Sequence, residues 1–276
     1  MAGTVKIEGG IAVITGAASG IGLGLARYAA KAGMKLVLAD IQAAPLDGLA
    51  AELNTETLTI VTDVRDPAAV EALADKAWAR FGAVDLLFNN AGIMATGFSW
   101  QIEPERWKRS MEVNFDGVLN GIRAFVPRLL KAGRPARIVN TASVGGFLPS
   151  PLMAPYSVSK AAVVALTESL HLEMRMLGDT IGISLLAPGP VKSGIFDDPF
   201  GAYDDPAAAG FVETMRTMLT QNGLEPEDFA ARVFRDIEAG RFWIIPQPEA
   251  LDPLLRRRID CVFDRTDPEL LDFSDL

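Results

Sequence analysis

Six short apolar runs, each separated from the next by a longer helix-patterned stretch, constrain this chain more than any other feature. They are GIAVIT (10–15), KLVLAD (35–40), TLTIVTDV (57–64), VDLLFNNAG (84–92), RIVNTAS (137–143) and IGISLLAPG (181–189). A strand that is apolar on both faces must be covered on both faces, which is the condition of a parallel sheet between helical layers. Right-handed crossovers then wind the chain in both directions from a central strand. The expected class is therefore α/β, a doubly wound parallel sheet of about seven strands, with RFWIIP (241–246) as the last. Helices are expected over 20–33, in PLDGLAAEL, over 67–82, as two stretches within 104–132, and over 155–177 and 226–239. Residues 191–222 are rich in Asp, Pro and Gly, show no clean period and read as a loop.

With no linker, repeat or low-complexity tract, residues 1–276 read as a single domain. Residues 191–222 and a C-terminal extension over 247–276 are its least regular parts, and the acidic tail DPELLDFSDL reads either as mobile or as docking on a neighbour through Leu271 and Phe273. The formal net charge of −9 gives no attraction for phosphate backbones or anionic membranes, so neither nucleic acid nor membrane is an expected partner. The N-terminus lacks a charged, apolar and small-residue leader, and no run reaches about 18 apolar residues. A single cysteine, Cys261, excludes an internal disulfide, and a single histidine, His171, excludes a His-rich metal site. These features suit the cytoplasm. Cys261 reads as a buried thiol and His171 as a packed or interface side chain.

TGAASGIG follows the first strand directly and opens the first helix, with Gly16, Gly20 and Gly22 spaced G-x3-G-x-G. Glycine lets the backbone turn tightly and lets a pyrophosphate approach, and the helix start, with Ser19 and Ile21, offers free N–H groups and partial positive charge. The same glycines could make a plain turn; the strand–turn–helix context favours a dinucleotide. Asp40 ends the second strand 18 residues after Gly22. A carboxylate there accepts both ribose hydroxyls of an adenosine and repels a 2′-phosphate. With Ile41 next and no Arg or Lys in TGAASGIG, NAD is expected over NADP. Asp63 and Val64, at the end of the third strand, suit the adenine edge or a simple turn. Asn90, Ala91 and Gly92 close the fourth strand, where a turn is the plainer reading.

Ser143 ends the fifth strand, and Tyr156 and Lys160 follow in APYSVSK. Four residues apart on a helix, Tyr156 and Lys160 share a face, and Pro155 suits the first turn. A free phenol has a pKa of about 10, too high for a base at neutral pH. A neighbouring ammonium and the positive helix end should lower it. Such a phenol can take an alcohol proton while hydride leaves for a cofactor. Y-x3-K alone would be an ordinary pair; Ser143 and the glycine loop give it meaning.

The set TGAASGIG, Asp40, Asp63, NNAG, Asn114, Ser143, Tyr156, Lys160 and Pro188 to Val191 resembles the short-chain dehydrogenase/reductase superfamily, in its branch of single-domain subunits. The resemblance implies a Rossmann-like fold, with Tyr156 as general acid/base. Lys160 would lower its pKa and bind the nicotinamide ribose, Ser143 would orient the substrate oxygen, and Asn114 would hold a relay water. Asn90 to Gly92 would border the adenosine ribose. Val191, after Pro188 and Gly189, would hold the carboxamide by its backbone. Ser193 stands where the family often has Thr, and keeps the hydroxyl. The resemblance also implies a homodimer or homotetramer, through the helices of 104–132 and 155–177.

The family places its substrate lid at 191–222, which here carries Ile195, Phe196, Phe200, Tyr203, Phe211, Met215 and Met218. Val144, Phe147, Leu148 and Met153 follow Ser143, and Met94 follows NNAG. Only Lys192 and Arg216 are basic, which disfavours phosphorylated or CoA-bearing substrates. An apolar, cyclic or aryl secondary alcohol or ketone is the expected small-molecule partner, and a weaker resemblance to bacterial aryl-alcohol dehydrogenases points the same way. The apolar set could instead be core or interface. The competing functions are an NADPH-dependent ketoreductase of the 3-oxoacyl type, which Asp40 disfavours, and a non-catalytic NAD-binding or scaffold protein, which the intact Tyr156 and Lys160 disfavour.

Overall fold

The computed structural model describes residues 5–197 and 206–269. Phe200, Tyr203, Leu271 and Phe273 lie outside them. Seven parallel strands form one sheet: β1 (Ile11–Thr15), β2 (Lys35–Asp40), β3 (Thr57–Val61), β4 (Leu86–Asn89), β5 (Ala136–Thr141), β6 (Ile181–Leu186) and β7 (Trp243–Ile244). Their order is β3-β2-β1-β4-β5-β6-β7, the doubly wound arrangement expected.

Alternation along β1 shows why both faces are covered. Val13 faces a core built from α3 (Pro67–Phe81), α5 (Gly117–Ala132) and α6 (Ala154–Met176). Ala12 and Ile14 face the opposite core, built from α1 (Gly20–Lys31), α2 (Ala43–Glu52) and α8 (Pro226–Glu238). In α8, Phe229, Val233, Phe234 and Ile237 are buried on one helical stripe. Each such side chain contributes up to about 1.5–3 kcal/mol by leaving water.

The chain leaves β1 towards β2 and β3, then returns to the other side of β1 for β4. A crevice opens at the carboxyl ends of the strands where the winding reverses. Between β4 and β5, α4 (Pro104–Met111) runs through a π-helical turn, Glu112–Asp116, into α5. Such turns insert one extra residue into the helix and often mark working positions.

Two helices were not foreseen. Residues 191–222, read as aperiodic, contain α7 (Pro206–Asn222), whose Ala208, Val212, Met215 and Leu219 form a buried stripe at helical spacing. The extension contains α9 (Pro248–Asp264), which Pro248 opens. Cys261, expected buried, is half-exposed on α9. His171 packs on the Phe242 ring, 4.7 Å between centroids. Among the described residues no helix is long and apolar enough to cross a membrane, and no acidic, His or Cys cluster could hold a metal.

Candidate active site

A cleft of about 720 Å³ runs along the carboxyl edge of the sheet. Every residue singled out above for catalysis or cofactor binding lines it, except Asn114, which is buried behind Gly92.

At one end the turn after β1 forms a cradle that only glycine permits. Gly16 has φ +66°, and a Cβ there would lie 2.8 Å from the Ala91 Cα. A Cβ on Gly22 would lie 2.0 Å from the Gly16 carbonyl oxygen. The start of α1 is thereby held against the end of β4, with its first N–H groups bordering the cleft. Asn90 fixes the seam: its Nδ2 donates to the Thr15 carbonyl at 3.0 Å, and its backbone N–H donates to Thr15 Oγ1 at 2.9 Å. Ser193 packs on the other side of the cradle, against Gly20.

Asp40 is anchored through both carboxylate oxygens. Oδ2 accepts from the Ala18 N–H and Oδ1 from the Gln42 N–H, each at 3.0 Å. Asp63 bonds the Arg65 guanidinium at 2.6 Å, and this hydrogen bond holds its carboxyl below the ordinary range. Gln42, Arg65 and Arg109 also line the cleft and went unnoticed in the sequence, because a lone polar residue after a strand, or on a polar helix such as α4, carries no local signature.

In the middle of the cleft, Tyr156 and Lys160 sit in the first two turns of α6, both buried. The Lys160 ammonium donates to the Thr141 carbonyl at 2.9 Å and lies 5.7 Å from the centroid of the Tyr156 ring. Ser143 hydrogen-bonds to the Tyr156 hydroxyl, and its Oγ accepts from the Gly145 N–H at 3.0 Å. The electrostatics depart from the sequence argument. Burial pushes the phenol above its ordinary value, with the Ser143 hydrogen bond opposing it. Burial also lowers Lys160 to about 8. The expected lowering of the phenol by the ammonium does not emerge: its own desolvation dominates, and the opposing influence is the Ser143 hydrogen bond.

Asn114 occupies the π-helical turn. Its Oδ1 accepts from the Ile93 N–H at 2.8 Å, and its Nδ2 donates to the Ile93 carbonyl and to Ser159 Oγ, each at 3.0 Å. The side chain thus ties the segment after Gly92 to the helix that carries Tyr156.

The other end is apolar. Met94, Met153, Phe196, Met215 and Leu219 form a buried cluster with Tyr156. Val144, Leu148, Ile195 and Met218 also line the cleft, whereas Phe147 packs on Trp243. Lys192 is paired with Glu225 at 2.5 Å and Arg216 with Glu213 at 2.7 Å, so both cations named from the sequence are engaged. Leu251 and Leu254 of α9 complete this wall.

Residues 10–200 match the family model for short chain dehydrogenases. The chain belongs to the short-chain dehydrogenase/reductase superfamily. This member is 35% identical to a C alpha-dehydrogenase of a Sphingobium species, over 94% of this chain and 87% of that one. It is 37% identical to a 1-deoxy-11-beta-hydroxypentalenate dehydrogenase of Streptomyces arenae, over 91% of this chain and 87% of the relative. The crystal structure of a Burkholderia phymatum short chain dehydrogenase/reductase in complex with NAD superposes with a TM-score of 0.90 at 38% identity. That match covers 96% of this chain and 99% of the other. Members of this superfamily are oxidoreductases that use a nicotinamide cofactor, and the residues present fit such a group: the glycine turn brings the N–H-rich start of α1 to the cleft, and the fixed carboxylate of Asp40 lines the same cleft.

Proposed function

We propose that this protein is an NAD-dependent dehydrogenase that passes a hydride between nicotinamide and an apolar, cyclic or aryl secondary alcohol or ketone. The observation that carries the reading is the setting of Tyr156. It is buried in the cleft, bonded to Ser143, one turn from Lys160 and packed against the methionine wall.

Oxidised nicotinamide, when bound, supplies the hydride acceptor and a positive charge. The protein's residues do the rest. Ser143 donates to the substrate oxygen and fixes its distance from Tyr156. Tyr156 takes the hydroxyl proton as the carbon–hydrogen bond gives up its hydride, and returns that proton in the reverse direction. Lys160, held by the Thr141 carbonyl, would hold the nicotinamide ribose and would favour the phenolate once a second positive charge stood nearby. Asn114 keeps Ile93 and α6 in register. The apolar wall excludes water and favours substrates whose body around the reacting carbon is apolar.

Two features support NAD over NADP. Asp40 is held rigidly, so a 2′-phosphate would meet a fixed carboxylate. Arg65, just beyond the neighbouring strand, has its charge offset by the paired Asp63 carboxylate. The Burkholderia relative's complex with NAD agrees with this choice.

The test is reduction of NAD and NADP by a panel of cyclic and aryl secondary alcohols. kcat/KM should favour NAD by roughly a hundredfold, about 2.7 kcal/mol of discrimination. Tyr156→Phe should bind NAD normally and lose turnover by about three orders of magnitude. Near-normal turnover by that variant would remove Tyr156 from the acid/base role. Cofactor binding without turnover on any alcohol would favour the non-catalytic reading.

A further inference from the structure

The C-terminal helix is tied to the cofactor loop by a single side chain. Gln247 precedes α9 and is buried, although glutamine ordinarily stays in water. Its two amide atoms are used on consecutive residues of the loop after β6. Oε1 accepts from the Gly189 N–H at 3.0 Å, and Nε2 donates to the Pro190 carbonyl at 2.6 Å. The same Pro190 carbonyl accepts from the Leu224 N–H at 3.1 Å, and the Pro188 carbonyl accepts from the Val144 N–H at 3.0 Å. The loop is thus pinned from three directions: the residue after Ser143, the residue before α8's cap, and Gln247.

Gln247 also begins a stripe. Leu251 and Leu254 follow at i+4 and i+7, the spacing of one helical face, and both line the cleft. The backbone carbonyl of Gln247 accepts from the N–H groups of Ala250 and Leu251, so the residue that grips the loop also starts the helix that walls the pocket. Gly189 leaves room for this grip: a Cβ there would stand 3.0 Å from the Leu251 side chain and 3.2 Å from Gln247 Oε1.

We infer that Gln247 is a positioning residue for the nicotinamide end of the cofactor. Its carboxamide sets the backbone of Gly189 and Pro190 so that Val191 presents its own backbone to the ring. The inference rests on the cofactor reading above, together with the family resemblance by which Val191 would hold the nicotinamide carboxamide; Pro188 to Val191 line the cleft. Gln247 holds the loop rather than the cofactor, so it governs the nicotinamide half of the molecule and leaves the adenosine half alone. The two halves separate experimentally, because ADP-ribose carries everything but the nicotinamide.

The experiment compares dissociation constants of NADH and ADP-ribose for the full chain, Gln247→Met and Gln247→Glu. Methionine keeps the shape and loses both hydrogen bonds. Glutamate keeps the acceptor for Gly189 but turns an oxygen towards the Pro190 carbonyl. Each variant should bind NADH roughly tenfold more weakly, the size of effect expected for two lost hydrogen bonds in Gln247→Met and for one lost bond with an opposed pair of oxygens in Gln247→Glu. ADP-ribose should stay within about twofold. Melting temperatures run alongside; if Gln247→Met does not fold, Gln247→Glu carries the comparison. Unchanged NADH binding in a folded variant, or equal losses for both ligands, would overturn the inference. If the unaltered chain itself binds NADH no better than ADP-ribose, the cofactor reading fails first and this inference goes with it.

Discussion

A side chain's chemistry in this cleft is decided by what burial leaves it. Lys160 is the clearest case, an ammonium enclosed by protein with its pKa drawn down to about 8. The unfolded chain holds the same proton up to about 10.4. Between those values the unfolded state binds more protons than the folded one, so stability rises with pH from about 8 to about 10. Below about 8 both states are protonated and the full cost of the buried charge is present. Lys160→Met removes this titration. The melting temperature of the variant relative to the parent should therefore be most favourable below pH 8 and fall steadily as the pH is raised to 10; a flat difference over that range would show that Lys160 does not titrate there. Asp40 works by the opposite principle, with a fixed charge at a rim. Asp40→Ala takes away the carboxylate that would repel a 2′-phosphate and the acceptor of the Ala18 N–H. The ratio of kcat/KM for NAD over NADP should shrink about tenfold, and an unchanged ratio in steady-state assays would count against the ribose contact.

At the level of elements, the site depends on how α4, α5 and α6 are held to the strand ends. Asn114 makes three hydrogen bonds from a helical turn that has slipped to π geometry, and all three reach Ile93 or Ser159. Asn114→Ala leaves those partners enclosed without replacements. About 1–3 kcal/mol attaches to an orphaned buried polar group, so a loss of roughly 3 kcal/mol is expected in urea unfolding. Turnover should fall with it, since Ile93 precedes the pocket residue Met94; a variant as stable as the parent would mean that water replaces the amide. These cases show which parts were legible in the sequence. The six principal strands and the glycine turn were readable because their signals are local: apolar runs, a G-x3-G-x-G spacing, Y-x3-K on one helical face. α7 was hidden by the Asp/Pro/Gly-rich run before it, although Val212, Met215 and Leu219 carry a helical period. Gln247 was illegible because its meaning lies in a contact 58 residues away. The raised phenol was missed because burial belongs to the assembled fold, whereas the Tyr156–Lys160 spacing is written in the chain.

Taken whole, the molecule assigns its two binding tasks to different stretches of chain. The adenosine end of the cleft comes mainly from the ends of β1 to β4, so the first ninety residues supply its glycine cradle, Asp40 and Asp63. The apolar wall comes mostly from late elements, namely Phe196, Met215 and Leu219 before and within α7, and Leu251 and Leu254 of α9. Substitutions confined to the wall side chains of α7 and α9 leave the cradle's own contacts in place, since these run between Gly16 and Ala91 and between Asn90 and Thr15. Substrate affinity and cofactor affinity should then respond to separate substitutions. Leu254 is the informative choice, since it is only half-buried and its truncation costs little packing, whereas Leu251 is fully enclosed. Leu254→Ala should raise KM for bulky apolar alcohols roughly tenfold, as expected when a pocket loses several methylene contacts. kcat should move less, and the dissociation constant of NADH should stay within about twofold. Small alcohols that do not reach the wall should be indifferent to the change. If NADH binding weakened in step with KM, α9 would be acting through the loop that Gln247 holds, and the division of labour between early and late chain would be wrong.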